Sequence, residues 1–179
     1  MDATLLQRGF TPQLLSPTQY RELDENGFTI LENVIAPAWL DRLRQAFEEL
    51  VEQEGEEAGV EVGQMKGVRR LADLVNKGEV FDAVYLQPAL LTAALHIFQG
   101  PHDRSPEQIH LQGSAGSVAV FNGSIWHGSY INRAGCLRRT LHCAFFAREL
   151  DQQTNQREYL RPETAERLSP LARYILDVD

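Results

Sequence analysis

The sequence predicts an α+β domain, and three observations carry that reading. Between Pro37 and Val51 the apolar residues Leu40, Leu43, Phe47, Leu50 and Val51 recur at helical spacing. Across residues 113–148 the pattern changes to alternation, with Val118 and Val120 set among Ser117, Ala119 and Phe121 ahead of the turn dipeptide Asn122-Gly123. The tail returns to helix, with two proline-led starts at Arg161-Pro162 and Ser169-Pro170. Helices and strands thus come in blocks, which favours segregated layers over alternating βαβ units.

Taken in order, Ser16 is an N-cap, Pro17 occupies the first helical position, and Asn26-Gly27 stops a short helix. Phe28, Ile30 and the run Leu31–Ile35 read as a strand. Pro37 opens a longer helix whose outer face carries Asp41, Arg42, Arg44, Glu48 and Glu49. The acidic stretch Glu52–Gly59 reads as a solvated helix end and loop. Arg70–Asn76 is a short helix closed by Lys77-Gly78, and Pro88–Phe98 is an Ala/Leu-rich helix suited to packing on a sheet. Residues 99–108 form a polar loop marked by glycine and proline. Ser124–Ile131 and Leu137–Phe146 are strands on either side of a turn at Asn132–Gly135. In the tail Leu168, Leu171, Tyr174 and Ile175 are the expected anchors.

A chain of 179 residues fits one domain and can bury a sizeable core. Its net charge of −8 argues against binding a phosphate backbone, so nucleic acid is not an expected partner. No apolar run approaches the roughly 20 residues of a membrane helix. The first residues have neither a basic region nor a long apolar core, so no secretory signal is expected. Cys136 and Cys143 do not make a secreted disulfide framework, and both are expected reduced in a cytoplasm.

Chemistry concentrates in the strand block. His127 lies beside Trp126 and is followed by the small residues Gly128 and Ser129, which leave room for a substrate. It reads either as a metal ligand from a late strand or as a strand histidine satisfied by hydrogen bonds. Arg138 follows eleven residues later, with Thr140 two positions on. A guanidinium grips a carboxylate through two parallel hydrogen bonds, and a hydroxyl on the same strand face adds a third. Arg138, Thr140, His142 and Ala144 share one face of Leu137–Phe146, and Arg139, Leu141, Cys143 and Phe145 share the other. Parity alone leaves the inward face open; spacing from His127 favours Arg138, with Arg139 turned away. Such a clamp predicts that Arg138→Ala weakens binding of a small carboxylate by about 1.5–3 kcal/mol.

The block HLQGSAGSVAVFNGSIWHGSYINRAGCLRRTLHCAFFAREL, with QREYLRPETAERLSPLARYILD after it, resembles the C-terminal half of bacterial phytanoyl-CoA dioxygenase family proteins. LSPTQYRELDENGFTILENVIAPAWLDRLRQAFEEL is similar to that family's opening helix, strand and helix, and RRLADLVNKGEVFDAVYLQPALLTAALHIF continues the likeness. The resemblance covers nearly the whole chain, and its most specific motif runs from Trp126-His127-Gly128 to Arg138. It implies an Fe(II)- and 2-oxoglutarate-dependent oxygenase that hydroxylates a small or acyl substrate. It further implies that His127 is the distal iron ligand and that Arg138, with Thr140, holds the distal carboxylate of 2-oxoglutarate. The implied fold is a partial double-stranded β-helix, or jelly roll, with N-terminal and C-terminal helices packed around it. Residues 1–98 would be its helical half, 109–148 its late strands and 149–179 its helical tail.

The family also carries an HxD or HxE motif, and this chain does not. Its five histidines are His96, His102, His110, His127 and His142, and none has Asp or Glu two positions later. The helix ending at Phe98 runs almost directly into His110, where the family places several strands. The metal site is therefore expected to be incomplete, with His102, Asp103 and His110 as possible replacements. Five or six strands fall short of the eight in a closed jelly roll, so uncovered edges would need a helix or a homodimer partner. Two rivals remain: a non-catalytic remnant that still binds a small carboxylate at Arg138, and a cupin-like protein, which would carry more His and Glu on its late strands.

Overall fold

The computed structural model describes residues 3–63, 67–99, 109–125, 127–128, 132–152 and 154–179. Helices dominate: α1 Ala3–Gln7, α2 Pro17–Asn26, α3 Pro37–Glu54, α4 Asp82–Tyr85, α5 Pro88–Gln99, α6 Gln156–Tyr159, α7 Pro162–Arg167 and α8 Pro170–Ile175. Among the described residues the strands are β1 Phe28–Leu31 and β2 Val118–Phe121, and Leu74–Lys77 is one of several single 3₁₀ turns. The jelly roll expected from the strand block is not what forms; β1 and β2 make a two-stranded antiparallel sheet.

The reason lies in the ladder. A strand needs a neighbour to receive its backbone groups. Of the runs read as strands, Val118–Phe121 finds one in β1, whereas residues 137–147 belong to no ladder. Residues 124–125 form a turn. The segment read as a strand through Ile35 stops at Leu31, where a turn carries Asn33 at φ 56°. Residues 129–131 of the next expected strand, and the loop 100–108, lie outside the described residues.

Several elements form for reasons visible in their ends. The Ser16 side chain accepts from the Gln19 backbone N–H while the Gln19 side chain accepts from the Ser16 N–H, and Gly27 closes α2 at φ 75°. Seryl oxygens likewise cap α8 through Ser169. The sheet aligns Phe28 with Phe121 and Leu31 with Val118. It is extended at both ends by Asn122 N–H donating to Gly27 O at 2.8 Å and Ile35 N–H donating to Gly116 O at 3.0 Å. Gly116 is required there: its φ is +93°, and a Cβ would sit 2.6 Å from the Ile35 carbonyl oxygen.

α5 is the hub of the packing. Its Ala89, Leu90 and Ala93 join Leu23 of α2, Leu31 of β1 and Val120 of β2 in one cluster, while Leu91 meets Leu5 and Phe10. A third cluster joins Leu43 of α3 to Phe81 and Val84, and a fourth joins Tyr85 to Leu168 and Ala172 of the tail. The tail thus has the anchors its apolar residues predicted. Among the described residues no single helix is long and apolar enough to cross a membrane. The bent pair Glu79–Tyr85 and Pro88–Phe98 has that length and composition, but Val84, Tyr85 and Ala89–Ala94 are buried in the core.

Candidate functional site

His127 is delivered by a tight reversal after β2. The Asn122 side chain accepts from Ser124 N–H at 2.9 Å, and Ile125 N–H donates to Asn122 O at 3.1 Å. The imidazole then folds back on its own turn, with Nδ1 2.9 Å from the Ile125 carbonyl oxygen. A carbonyl only accepts, so the contact places a proton on Nδ1, and in the neutral ring Nε2 is the nitrogen left to bind a metal. The ring rests against Phe121 with centroids 5.0 Å apart and the planes at 50°. His127 is exposed. This tautomer has the form a metal-binding histidine takes, but iron in this chemistry needs three such groups on one face. Among the described residues no three His, Cys, Asp or Glu side chains are grouped to hold a metal, so those residues do not fit Fe(II). His102 and Asp103 lie outside the described residues, and His110 is exposed.

Arg138 and Thr140 also stand at exposed positions. Arg139 is exposed as well, and its guanidinium reaches across to α3. Its Nε donates to Glu48 Oε1 of α3 at 2.9 Å, and a second nitrogen reaches the same oxygen. Arg69 grips Glu48 from the other side, Nη1 to Oε2 at 2.8 Å. Hydrogen bonds from Arg139 and then Arg69 hold the Glu48 carboxyl below its usual range. The same face of the run carries Leu141, packed against Leu43, Phe81 and Val84, and Phe145, which reaches three of the four clusters. Spacing from His127 had favoured Arg138 as the inward residue. Leu141 and Phe145 are the half-buried positions of the run, while Arg139 and Cys143 are exposed like Arg138, so burial singles out neither arginine.

Composition and spacing did not reveal a half-buried polar network under the tail. Arg167 Nε donates to Asp82 Oδ2 at 3.0 Å and Nη2 to Oδ1 at 3.2 Å, while Nη2 also reaches Val75 O. Tyr85 donates to Asp82 Oδ1 at 3.1 Å. Nearby, the Asn76 side chain donates to Asp73 and to Tyr159 O at 2.9 Å and accepts from Arg161 N–H at 3.0 Å. These bonds tie residues 73–85 to α6 and α7. Beside them an open groove of about 840 Å³ runs between α3 and α4, floored by Trp39, Ala46, Val80 and Leu86 and rimmed by Arg42, Glu49 and Glu79. Its lining has no histidine or cysteine, and its Asp82 is already committed to Arg167.

The raised pKa values here fix a pH dependence. Burial pushes the Tyr85 phenol well up, and the charge of Asp82 adds to it. Cys143 keeps solvent access, yet desolvation by the surrounding chain pushes its thiol up to about 11 from an ordinary 9.0. Both groups stay protonated in the fold at a pH where the unfolded chain releases them. Their contribution is therefore complete below about pH 9 and lost as pH rises towards the folded values. The urea midpoint should hold between pH 7 and 9 and fall by pH 10.5, and Cys143→Ala should delay the start of that fall. A midpoint that rises across this range would contradict the assignment.

Comparison with protein-family models, curated proteins and solved structures finds no match for this chain.

Proposed function

We propose that this chain is a phytanoyl-CoA dioxygenase-like protein, an Fe(II)- and 2-oxoglutarate-dependent oxygenase by ancestry, whose own metal site is incomplete and which does not turn over 2-oxoglutarate. One observation carries the reading. The motif Trp126-His127-Gly128, followed by Arg138 and Thr140, stands in a chain where no histidine has an acid two positions on. Support also comes from the N-terminal order of helix, strand and helix over Pro17–Asn26, Phe28–Leu31 and Pro37–Glu54. The likeness is one of residues and element order; it does not extend to a closed barrel.

When bound in an intact relative, the metal would supply oxygen activation; among the described residues the groups that would hold it are not assembled. What His127 offers is a single nitrogen ligand, and one ligand leaves a hydrated ferrous ion free to exchange. Arg138 and Thr140 offer an exposed guanidinium and hydroxyl, and an exposed ion pair is worth about 0–1 kcal/mol. A small carboxylate would be held weakly at most. The substrate of an intact relative would be a small or acyl molecule, as the resemblance implies. The absence of a long apolar helix among the described residues and the two free cysteines favour a cytoplasmic location.

The test is turnover by the purified chain with Fe(II), ascorbate, O₂ and 2-oxoglutarate. Succinate at the level of a no-protein blank is expected. Iron-dependent succinate formation well above that blank would overturn the incomplete site.

A further inference from the structure

We propose that the open groove between α3 and α4 docks a basic amphipathic helix of a partner protein. Its floor is apolar and half-buried: Trp39 and Ala46 of α3, with Val80 and Leu86 from the facing wall. The Trp39 indole N–H already donates to Val80 O, so this side chain offers an occupant apolar surface. On α3, Trp39, Arg42, Ala46 and Glu49 lie at i, i+3, i+7 and i+10, one stripe of the helix along the groove. At 1.5 Å per residue that stripe is about 15 Å long, which matches about three turns of a second helix. Backbone chemistry also chooses a helix. An extended peptide needs a strand edge to receive its main-chain groups, and both walls here are helical turns whose groups bond internally. A helix satisfies its own backbone and needs only side-chain packing. A small molecule needs most of its surface enclosed, which an open groove of about 840 Å³ does not provide.

Charge selects the sign of the occupant's polar flanks. Glu49 and Glu79 stand exposed on the rim against one exposed arginine, Arg42. Glu52, also exposed, continues the α3 stripe one turn beyond Glu49. Asp82 lies in the lining but answers Arg167. From Pro37 to Glu57 the chain has seven acids and two arginines, and of those acids Glu48 and Glu54 are paired with basic residues from outside the helix. The remaining surplus is acidic, and the chain as a whole carries −8. The rim and the long-range field therefore have the same sign, so lysines or arginines flanking an apolar stripe are favoured both on approach and in contact. A second copy fits less well, because it brings an equally acidic surface to this one.

The experiment is fluorescence anisotropy on the full chain with a labelled, side-chain-stapled helical peptide of about twelve residues. It carries leucines at i, i+3, i+4 and i+7 and lysines on both flanks. A glutamate-for-lysine peptide and a scrambled peptide of the same composition without the apolar stripe serve as comparators. The lysine peptide should bind saturably, the two comparators should bind roughly tenfold more weakly or not at all, and added salt should weaken the lysine peptide. Ala83 lines the groove and is exposed, so Ala83→Arg fills the groove from a position that does not support the core, and it should abolish binding. Glu49→Gln with Glu79→Gln, which keeps the side-chain length and removes the charge, should weaken binding roughly fivefold or more and flatten its salt dependence. Failure of the lysine peptide to bind, or equal binding of either comparator, would overturn the proposal. So would affinity unchanged by Ala83→Arg or by the glutamine pair. A wild-type dimer by sedimentation that Ala83→Arg dissociates would assign the groove to a second copy instead, and would also overturn it.

Discussion

Phe81→Ala should lower the stability of the chain by about 4 kcal/mol, the usual cost of emptying a buried phenylalanine site. Phe81 is 4% exposed and packs with Leu43 of α3 and Val84 of α4, and Leu141 is seated against the same cluster. Beside it the Trp39 indole N–H donates to Val80 O at 3.0 Å, pinning α3 to this turn. The surrounding backbone is therefore held from two sides and cannot collapse fully into the space. For a chain of this length the change amounts to about 8–16 °C in melting temperature. Because Leu141 touches the same cluster, Phe81→Ala and Leu141→Ala should be less than additive, as residues sharing a cavity are. Strict additivity in urea denaturation would show that residues 137–147 are not seated on the helices.

Arg167→Ala should cost about 3 kcal/mol. The Arg167 and Asp82 side chains are 24% and 17% exposed, so the pair is only partly screened by water. Removing the guanidinium leaves the Asp82 carboxylate half-buried with Tyr85 as its remaining partner, and strips a donor from Val75 O. Breaking one side of such a pair is costlier than replacing both with groups that pack. Asp82→Asn/Arg167→Met should therefore recover part of the loss measured for Arg167→Ala alone. If Arg167→Ala melts within about 1 °C of the wild type, the bonds from α7 to α4 are no more than surface contacts.

The parts of the fold that were legible are those written locally. Ser16-Pro17, Pro37 and Ser169-Pro170 mark helix starts with oxygens or fixed φ angles that act within one turn, and α2, α3 and α8 begin there. The apolar run Pro88–Phe98 was readable as a packed helix, and α5 is the element on which α1, α2, β1 and β2 meet. Pairing was not legible. Phe28–Leu31 and Val118–Phe121 join across about ninety residues, and nothing in either segment names the other. Strand content was over-read for the same reason: Leu141 and Phe145 seat the run 137–146 at two points, but a ladder needs a second strand as well. In the candidate site, His127 and Arg138 were legible as residue types. Their surroundings were not, because which face of a strand turns inward depends on what it packs against. Arg139 stays exposed and takes Glu48, on a helix face read as solvated, as its partner.

Under the proposed function, this chain keeps residues of a 2-oxoglutarate oxygenase without a working metal centre. Succinate release, followed by NMR under O₂ with Fe(II), ascorbate and 2-oxoglutarate, tests it most directly. The wild-type chain and His127→Ala should be indistinguishable from each other and from a blank without protein. Iron-dependent succinate from the wild type that disappears in His127→Ala would contradict the account, and its further loss in His102→Ala and Asp103→Ala would identify the residues that complete the site.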